Sequence, residues 1–279
     1  MTRQHRFAQV DVFGAEPYLG NPVAVVLDAE GIDDATMQRI ARWTNLSETT
    51  SVLPPTTPEA DYRLRIFTPG GELPFAGHPT LGSAHAWLEH GGEPQRADRI
   101  VQECEAGLVE VRRGDVLAFA APPMRRTDEL DADHLARLVD ALGIAPERVV
   151  GHQWVDNGPG WCVVQLPSAQ EVLDLEPDLA RIPDAMVGAI GAYPPGSEHA
   201  FELRSFAPAV GVPEDPVCGS MNASVAQWLT STGAAERSYA VSQGRRLGRA
   251  GSIAIDADAD GTVWVGGATI TCFSGTAIA

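Results

Sequence analysis

Residues 67–88 read FTPGGELPFAGHPTLGSAHAWL, and residues 206–229 read FAPAVGVPEDPVCGSMNASVAQWL. Each stretch opens with Phe-x-Pro, passes through a proline-containing turn, reaches a glycine and ends in Trp-Leu, the second being two residues longer. The glycines sit in Ala76-Gly77-His78-Pro79 and in Cys218-Gly219-Ser220-Met221. Proline suits the first helical position, so the spacing predicts a helix from Pro79 to about Glu89, stopped by Gly91-Gly92. The matching position starts a second helix at about Met221, running to Ser231 and stopped by Gly233. A turn-and-helix unit that recurs once points to an internal duplication, and so to two like domains facing each other.

Working outward, short β-rich runs cover Phe7 to Phe13, Val23 to Leu27, Thr49 to Leu53 and Tyr62 to Phe67, with Asp33 placed to cap a helix through about Trp43. Leu108 to Arg112 and Val116 to Ala120 flank Gly114-Asp115, a hairpin signal. Pro122-Pro123 breaks the pattern before a helix from Asp131 to Leu142, and the expected domains are therefore 1–122 and 123–279, the last strand being free to return to the first domain. In the second half strands are expected near Trp161 to Leu166, Met186 to Ala192, Phe201 to Phe206, Ile253 to Ile255 and Val263 to Val265. Strands and a few helices without regular βαβ alternation indicate the α+β class.

Composition removes several chemistries. All 20 basic residues of the 279 are arginines. No lysine can form a Schiff base, reach a nucleotide phosphate or serve as general base. A formal charge of −17 without a basic stripe argues against nucleic acid and anionic membranes as partners. The first residues lead straight into strand-like sequence with no apolar leader, and no window is long and apolar enough to span a bilayer, so a cytoplasmic protein is expected. Cys104, Cys162, Cys218 and Cys272 form no Cys-x-x-Cys pair, and the histidines show no metal-ligand spacing, so no metal is expected.

The two helix entries carry the strongest chemical signal. A helix N-terminus presents unpaired amides and the positive dipole end, and glycine lets a ligand approach the backbone. Gly77-His78 and Gly219-Ser220 could thus hold a substrate carboxylate between the domains; the plainer alternative makes Ser220 a helix cap and His78 a turn residue. Cys218, at a helix N-terminus, is the thiol with a reason to be reactive, against a reading as a small buried side chain. Glu48, among Ser47, Thr49 and Thr50 at a strand entry, is either a solvated carboxylate or a partly buried one whose raised pKa suits proton transfer. Asp156-Asn157-Gly158-Pro159-Gly160 and Gly20-Asn21-Pro22 read as turns in which an asparagine could line a cleft.

Asp11-Val-Phe13, Gly20-Asn21-Pro22, Asn45-Leu-Ser-Glu48-Thr-Thr50, Phe67-Thr-Pro69, Phe75-Ala-Gly77-His78-Pro79-Thr80-Leu-Gly82 and Glu214-Asp215-Pro216-x-Cys-Gly219-Ser220 follow one another in order. Together they resemble the phenazine-biosynthesis PhzF-like family over most of the chain. The resemblance implies the diaminopimelate epimerase-like fold, two pseudo-symmetric α+β domains each with curved sheet around a central helix, and a homodimer. It also implies an isomerase with neither metal nor organic cofactor, acting on a small carboxylate-bearing substrate. The residue matching Glu48 would take a proton from carbon and help return it elsewhere, with Asp215 and His78 assisting catalysis. Gly77, His78, Gly219 and Ser220 would bind substrate.

Two positions depart from the pattern. Related racemases use a pair of cysteines, one from each domain; here the matching positions are Ala76 and Cys218, which argues against a symmetrical two-thiol racemase and leaves Cys218 as a possible second acid/base. Met221-Asn222 replaces the small residue expected after Gly-Ser, which points to a pocket shaped for another substrate. Two other classes stay open on sequence: an amino- or imino-acid racemase, epimerase or dehydratase pairing Cys218 with Glu48, and a metabolite-binding protein without turnover. In either enzyme reading the anion is expected to be held by helix ends rather than by a basic side chain.

Overall fold

The computed structural model describes residues 3–279, so Met1 and Thr2, where the reading of the N-terminus as leaderless begins, lie outside the described residues. The chain groups into two compact units: one runs up to Ala120 and takes in Gly266–Ala279, and the other is Ala121–Val265. No helix among the described residues is long and apolar enough to cross a membrane.

In the first unit, helix α1 spans Asp34–Thr44. Asp33 caps it by accepting from the amide of Thr36 at 2.7 Å, and Asn45 ends it in the left-handed conformation, a role asparagine tolerates. Helix α2 spans Gly77–Glu89. It begins two residues before Pro79, whose missing N–H costs nothing in the first turn, where amides lack intrahelical partners anyway. Most of its residues are buried, the mark of a helix surrounded on all sides. It packs against Gln4–Val12, Asn21–Val26, Glu48–Leu53, Tyr62–Phe67, Leu117–Ala120 and the C-terminal strand Thr269–Ile278. That last strand pairs antiparallel with Gln4–Val12, so both ends of the chain build one sheet.

Close packing of α2 is visible at Gly82. A Cβ there would lie 2.4 Å from Val23 Cγ1 and 3.1 Å from Val12 Cγ2, atoms of two strands held in the sheet. Gly82→Ala is expected to destabilise the protein by about 1–3 kcal/mol despite alanine's better helix propensity, because overpacking outweighs it. Denaturant melts of the two proteins check this, and an unchanged midpoint would contradict it.

The second unit contains α3 (Ala132–Leu142), α4 (Ala169–Leu173) and α5 (Gly219–Ser231). Asp131 caps α3 through the amide of His134, and Gly143 closes it in the left-handed region, where glycine has no steric penalty. Leu138 and Leu142 of α3 enter a core with Val164, Val187 and Phe206. Helix α5 matches α2 in length, 13 residues, and is likewise buried along most of its faces.

The duplication extends to the sheets. In the first unit Asn21–Val26 runs parallel to Glu48–Leu53, which is antiparallel to Tyr62–Phe67, which is parallel to Arg99–Cys104, itself antiparallel to Gly107–Arg113. In the second, Cys162–Leu166, Val187–Ala192, Phe201–Ala207, Ser238–Gln243 and Gly251–Ala257 repeat that order of parallel, antiparallel, parallel and antiparallel pairings. The expected α+β architecture of two like units, each with sheet around a central helix, is the one found. Sequence reading passed over Arg99–Cys104, Gly151–Trp154, Val212–Asp215 and Ser238–Gln243.

Candidate active site

Glu48 opens the strand Glu48–Leu53, where it lies opposite Val23 in the parallel register. The left-handed turn at Asn45 ends α1 three residues earlier, and a Thr44–Thr49 hydroxyl contact of 2.7 Å braces the connection. Thr49, Thr50 and Ser51, the small hydroxyl residues that follow Glu48 in the strand, are buried. The Glu48 side chain is only 15% exposed. Burial pushes its pKa up to about 7, with a hydrogen bond from Ser47 acting in the opposite direction. The solvated alternative for Glu48 is therefore set aside.

His78 is the second residue of α2 and is buried. Its Nε2 lies 3.3 Å from Glu48 Oε2, and its Nδ1 lies 3.4 Å from Asn21 Nδ2. With the Asn21 amide as donor, Nδ1 is the acceptor and Nε2 carries the proton, facing the carboxyl group. Asn21 is not only a turn residue: it starts the strand Asn21–Val26 and is buried. Gly20 holds it there, since its amide donates to Asp11 Oδ2 at 2.8 Å while its Cα sits so near the Val12 carbonyl that a Cβ would lie 2.2 Å from that oxygen. A glycine is thus required by close approach. Asn21, the asparagine expected to line a cleft, belongs to this constellation, and Asp11 joins it although nothing in its residue type marked it.

In the second unit Asp215 ends the strand Val212–Asp215, and its Oδ1 accepts from the amide of Val217 at 3.1 Å, an Asx turn that swings the chain into α5. Glu214 beside it forms a two-bonded pair with Arg204, at 2.9 and 2.8 Å, and Arg204 also donates to the carbonyls of Val172 and Leu175. This buried guanidinium is used within the framework.

Cys218, not Ser220, occupies the N-cap of α5, and it makes no side-chain cap hydrogen bond. Ser220 lies inside the first turn, where its Oγ accepts from Trp161 Nε1 at 2.9 Å and its carbonyl accepts from Asn157 Nδ2 at 2.9 Å. The helix-cap alternative for Ser220 is corrected accordingly, and helix α5 begins at Gly219 rather than Met221 because the glycine and serine both adopt helical geometry ahead of it. Cys218 is buried, its Sγ 3.5 Å from Ser220 Oγ. Met221 is wholly buried against Gly188, and Asn222 turns inward to the Cys218 carbonyl at 2.9 Å.

The structure thus brings Glu48 and His78 together in the first unit, and it groups Asp215, Cys218, Gly219 and Ser220 along one segment of the second. The two central helices also differ from the others at their starts. Asp33 and Asp131 cap α1 and α3, and Ser168 caps α4, whereas Ala76 and Cys218 supply no side-chain acceptor to α2 and α5. Neither central helix has an acidic residue in its first turn, so neither dipole end meets a carboxylate from within its own first turn. Among the described residues no group of three or more His, Cys, Asp or Glu side chains is placed to hold a metal ion.

Comparison with known proteins gives this geometry a family. The model of the phenazine biosynthesis-like protein family matches residues 10–275. Antisense-enhancing sequence 1 of Schizosaccharomyces pombe is 39% identical over 290 residues, covering 98% of either chain. Trans-2,3-dihydro-3-hydroxyanthranilate isomerase of Pseudomonas fluorescens is 37% identical over 252 residues, 88% of this chain and 87% of that one. A phenazine biosynthesis protein of the PhzF family from Enterococcus faecalis superposes with a TM-score of 0.82 over 99% of both chains at 24% identity, a likeness of fold. A family match spanning nearly the whole chain, joined to relatives above one-third identity over almost their full lengths, places this chain in the phenazine biosynthesis-like, PhzF-like family of isomerases.

Proposed function

We propose that the protein moves a proton from one carbon to another within a small carboxylate-bearing substrate, with Glu48 as the group that takes the proton and returns it. The observation that carries this reading is a buried glutamate, held near neutrality by desolvation, 3.3 Å from an imidazole nitrogen. A carboxyl group with a pKa near the working pH serves both as base and, once protonated, as acid. In this reading His78 orients the Glu48 carboxyl and Asp215 assists the transfer. The first-turn amides at Gly77-His78 and Gly219-Ser220 hold the substrate's carboxylate, which supplies the negative charge that neither helix end takes from its own cap.

Relatives named for isomerising trans-2,3-dihydro-3-hydroxyanthranilate make that cyclic amino acid the first substrate to try. The protein is incubated with it in deuterated water, and the product is examined by mass spectrometry and NMR. Loss of the substrate with deuterium at the carbon that receives the proton is the expected result. If neither this compound nor a bacterial metabolite extract yields any isomerised product, labelled or unlabelled, the protein is a binder without turnover and the reading fails. The working form is proposed to be a cytoplasmic homodimer, which light scattering of the purified protein tests.

Cys218 is assigned no obligatory proton transfer. Cys218→Ser is expected to keep kcat within about tenfold of wild type, well short of the loss on removing a general acid or base. Steady-state rates check this. A collapse of turnover, together with loss of solvent exchange at a substrate Cα, would move the protein to the racemase class.

A further inference from the structure

Gln243 is the last residue of the strand Ser238–Gln243 and is wholly buried. Its Oε1 accepts from the backbone amide of Cys218 at 3.2 Å and from Asn222 Nδ2 at 2.8 Å. Its Nε2 donates to the carbonyl of Asp215 at 3.0 Å and to Ser205 Oγ at 3.2 Å. Both hydrogens and both lone pairs of the carboxamide are engaged. One group therefore ties the end of the Asp215 strand, the cap residue of α5 and the fourth residue of that helix. Asn222 completes the tie through the Cys218 carbonyl at 2.9 Å, so Cys218 is held at its amide and at its carbonyl.

The first unit has a counterpart that shows what is particular here. Gln102, also wholly buried, lies on Arg99–Cys104, parallel to the strand that leads toward α2, as Ser238–Gln243 is parallel to the strand that leads toward α5. It donates to Thr80 Oγ1 at 3.1 Å and accepts from Tyr62 Oη at 3.0 Å. Thr80 and Asn222 are each the fourth residue of their helix. Gln102 thus bonds side chains of the framework, whereas Gln243 bonds the main chain of the very segment that carries Asp215, Gly219 and Ser220.

We propose that Gln243 is a positioning residue for the reaction, its carboxamide setting the spacing between Asp215 and the first turn of α5. The inference rests on the reading that this segment binds substrate. Leucine at 243 offers neither donor nor acceptor. An ionised glutamate offers acceptors only, and in the neutral acid form it recovers the carbonyl acceptor and one donor, so Gln243→Glu converts the positioning into a titration.

The test uses Gln243→Leu and Gln243→Glu in the full chain, with trans-2,3-dihydro-3-hydroxyanthranilate as substrate. The Trp161 indole N–H resonance is followed as well, because that group donates to Ser220 Oγ and reports without substrate. Misplacement by about 1 Å can cost on the order of 10²-fold, so Gln243→Leu is expected to lose about 10–100-fold in kcat/KM, chiefly through KM, with a displaced Trp161 signal. For Gln243→Glu the ratio of its kcat/KM to that of wild type should fall as pH rises, and the Trp161 signal should move with the same midpoint. Wild-type KM and kcat in Gln243→Leu, or a pH-independent ratio in Gln243→Glu, would overturn the inference. If Gln243→Leu does not fold, the glutamate variant decides alone; if the compound is not turned over, the pH-dependent Trp161 signal decides. Retained turnover in Glu48→Gln sinks the assignment of the base, whereas a dead Glu48→Gln beside an unimpaired Gln243→Leu sinks only the positioning role.

Discussion

Glu48→Gln is expected to lower kcat by about 10²–10⁴-fold while leaving circular dichroism and oligomeric state unchanged, the range associated with removing a well-placed general acid or base. The glutamine keeps the shape of the side chain and can still meet Ser47 and His78, so packing around the strand entry survives. What it lacks is an ionisable oxygen. Because the proton is both taken and returned by this carboxyl group, deuterium incorporation from solvent should fall together with product formation. A binding measurement completes the test: Kd for the substrate should change far less than kcat, since the anion is assigned to helix-end amides and not to Glu48. Near-wild-type turnover in this variant would remove Glu48 from the mechanism and leave His78 as the buried titratable group beside it.

Local signals and long-range pairing were not equally legible. The cap of α1 is legible because Asp33 acts within one turn of where it stands, whereas Asp131, expected as the first residue of α3, proves to be its cap. The entries of α2 and α5 lie two residues before the positions the sequence suggests, because Pro79 marks a helix start although any first-turn position tolerates it. Glu48 and His78 were recognisable as chemical residues, but their 3.3 Å approach depends on a parallel register between strands and on a helix start that only the folded chain supplies. Gln243 was passed over for the same reason. A lone glutamine at the end of a polar strand has no motif, and its partners Ser205, Asp215 and Asn222 are more than twenty residues away. Asn222 shows the converse: as a departure from an expected small residue it signalled a reshaped pocket, yet it belongs to the support behind the segment.

The raised pKa of Glu48 also makes a prediction about stability, with a sign opposite to that of the arginine-paired carboxylates at the surface, such as Asp28 and Asp184. Its ordinary value of 4.5 in the unfolded chain becomes about 7 in the folded one, so the native state binds the proton more tightly and stability falls as pH rises between those values. Below about 4.5 the group is protonated in both states and has no effect; above 7 the folded protein carries an ionised carboxylate in a dry site. At about 1.4 kcal/mol per pH unit the cost reaches about 3 kcal/mol. Glutamine cannot ionise. Glu48→Gln should therefore match wild type in stability near pH 4.5 and exceed it by about 3 kcal/mol at pH 8. Paired denaturant melts across that range measure the difference, and a difference that does not grow with pH would show that Glu48 is not desolvated in solution. Over the same interval kcat/KM of the wild type should rise with pH as the base ionises, with a midpoint near 7. One titration thus governs both curves in opposite directions: the ionised form that activates the enzyme is the form that destabilises it, as expected where a site holds a charge in place for chemistry rather than for folding.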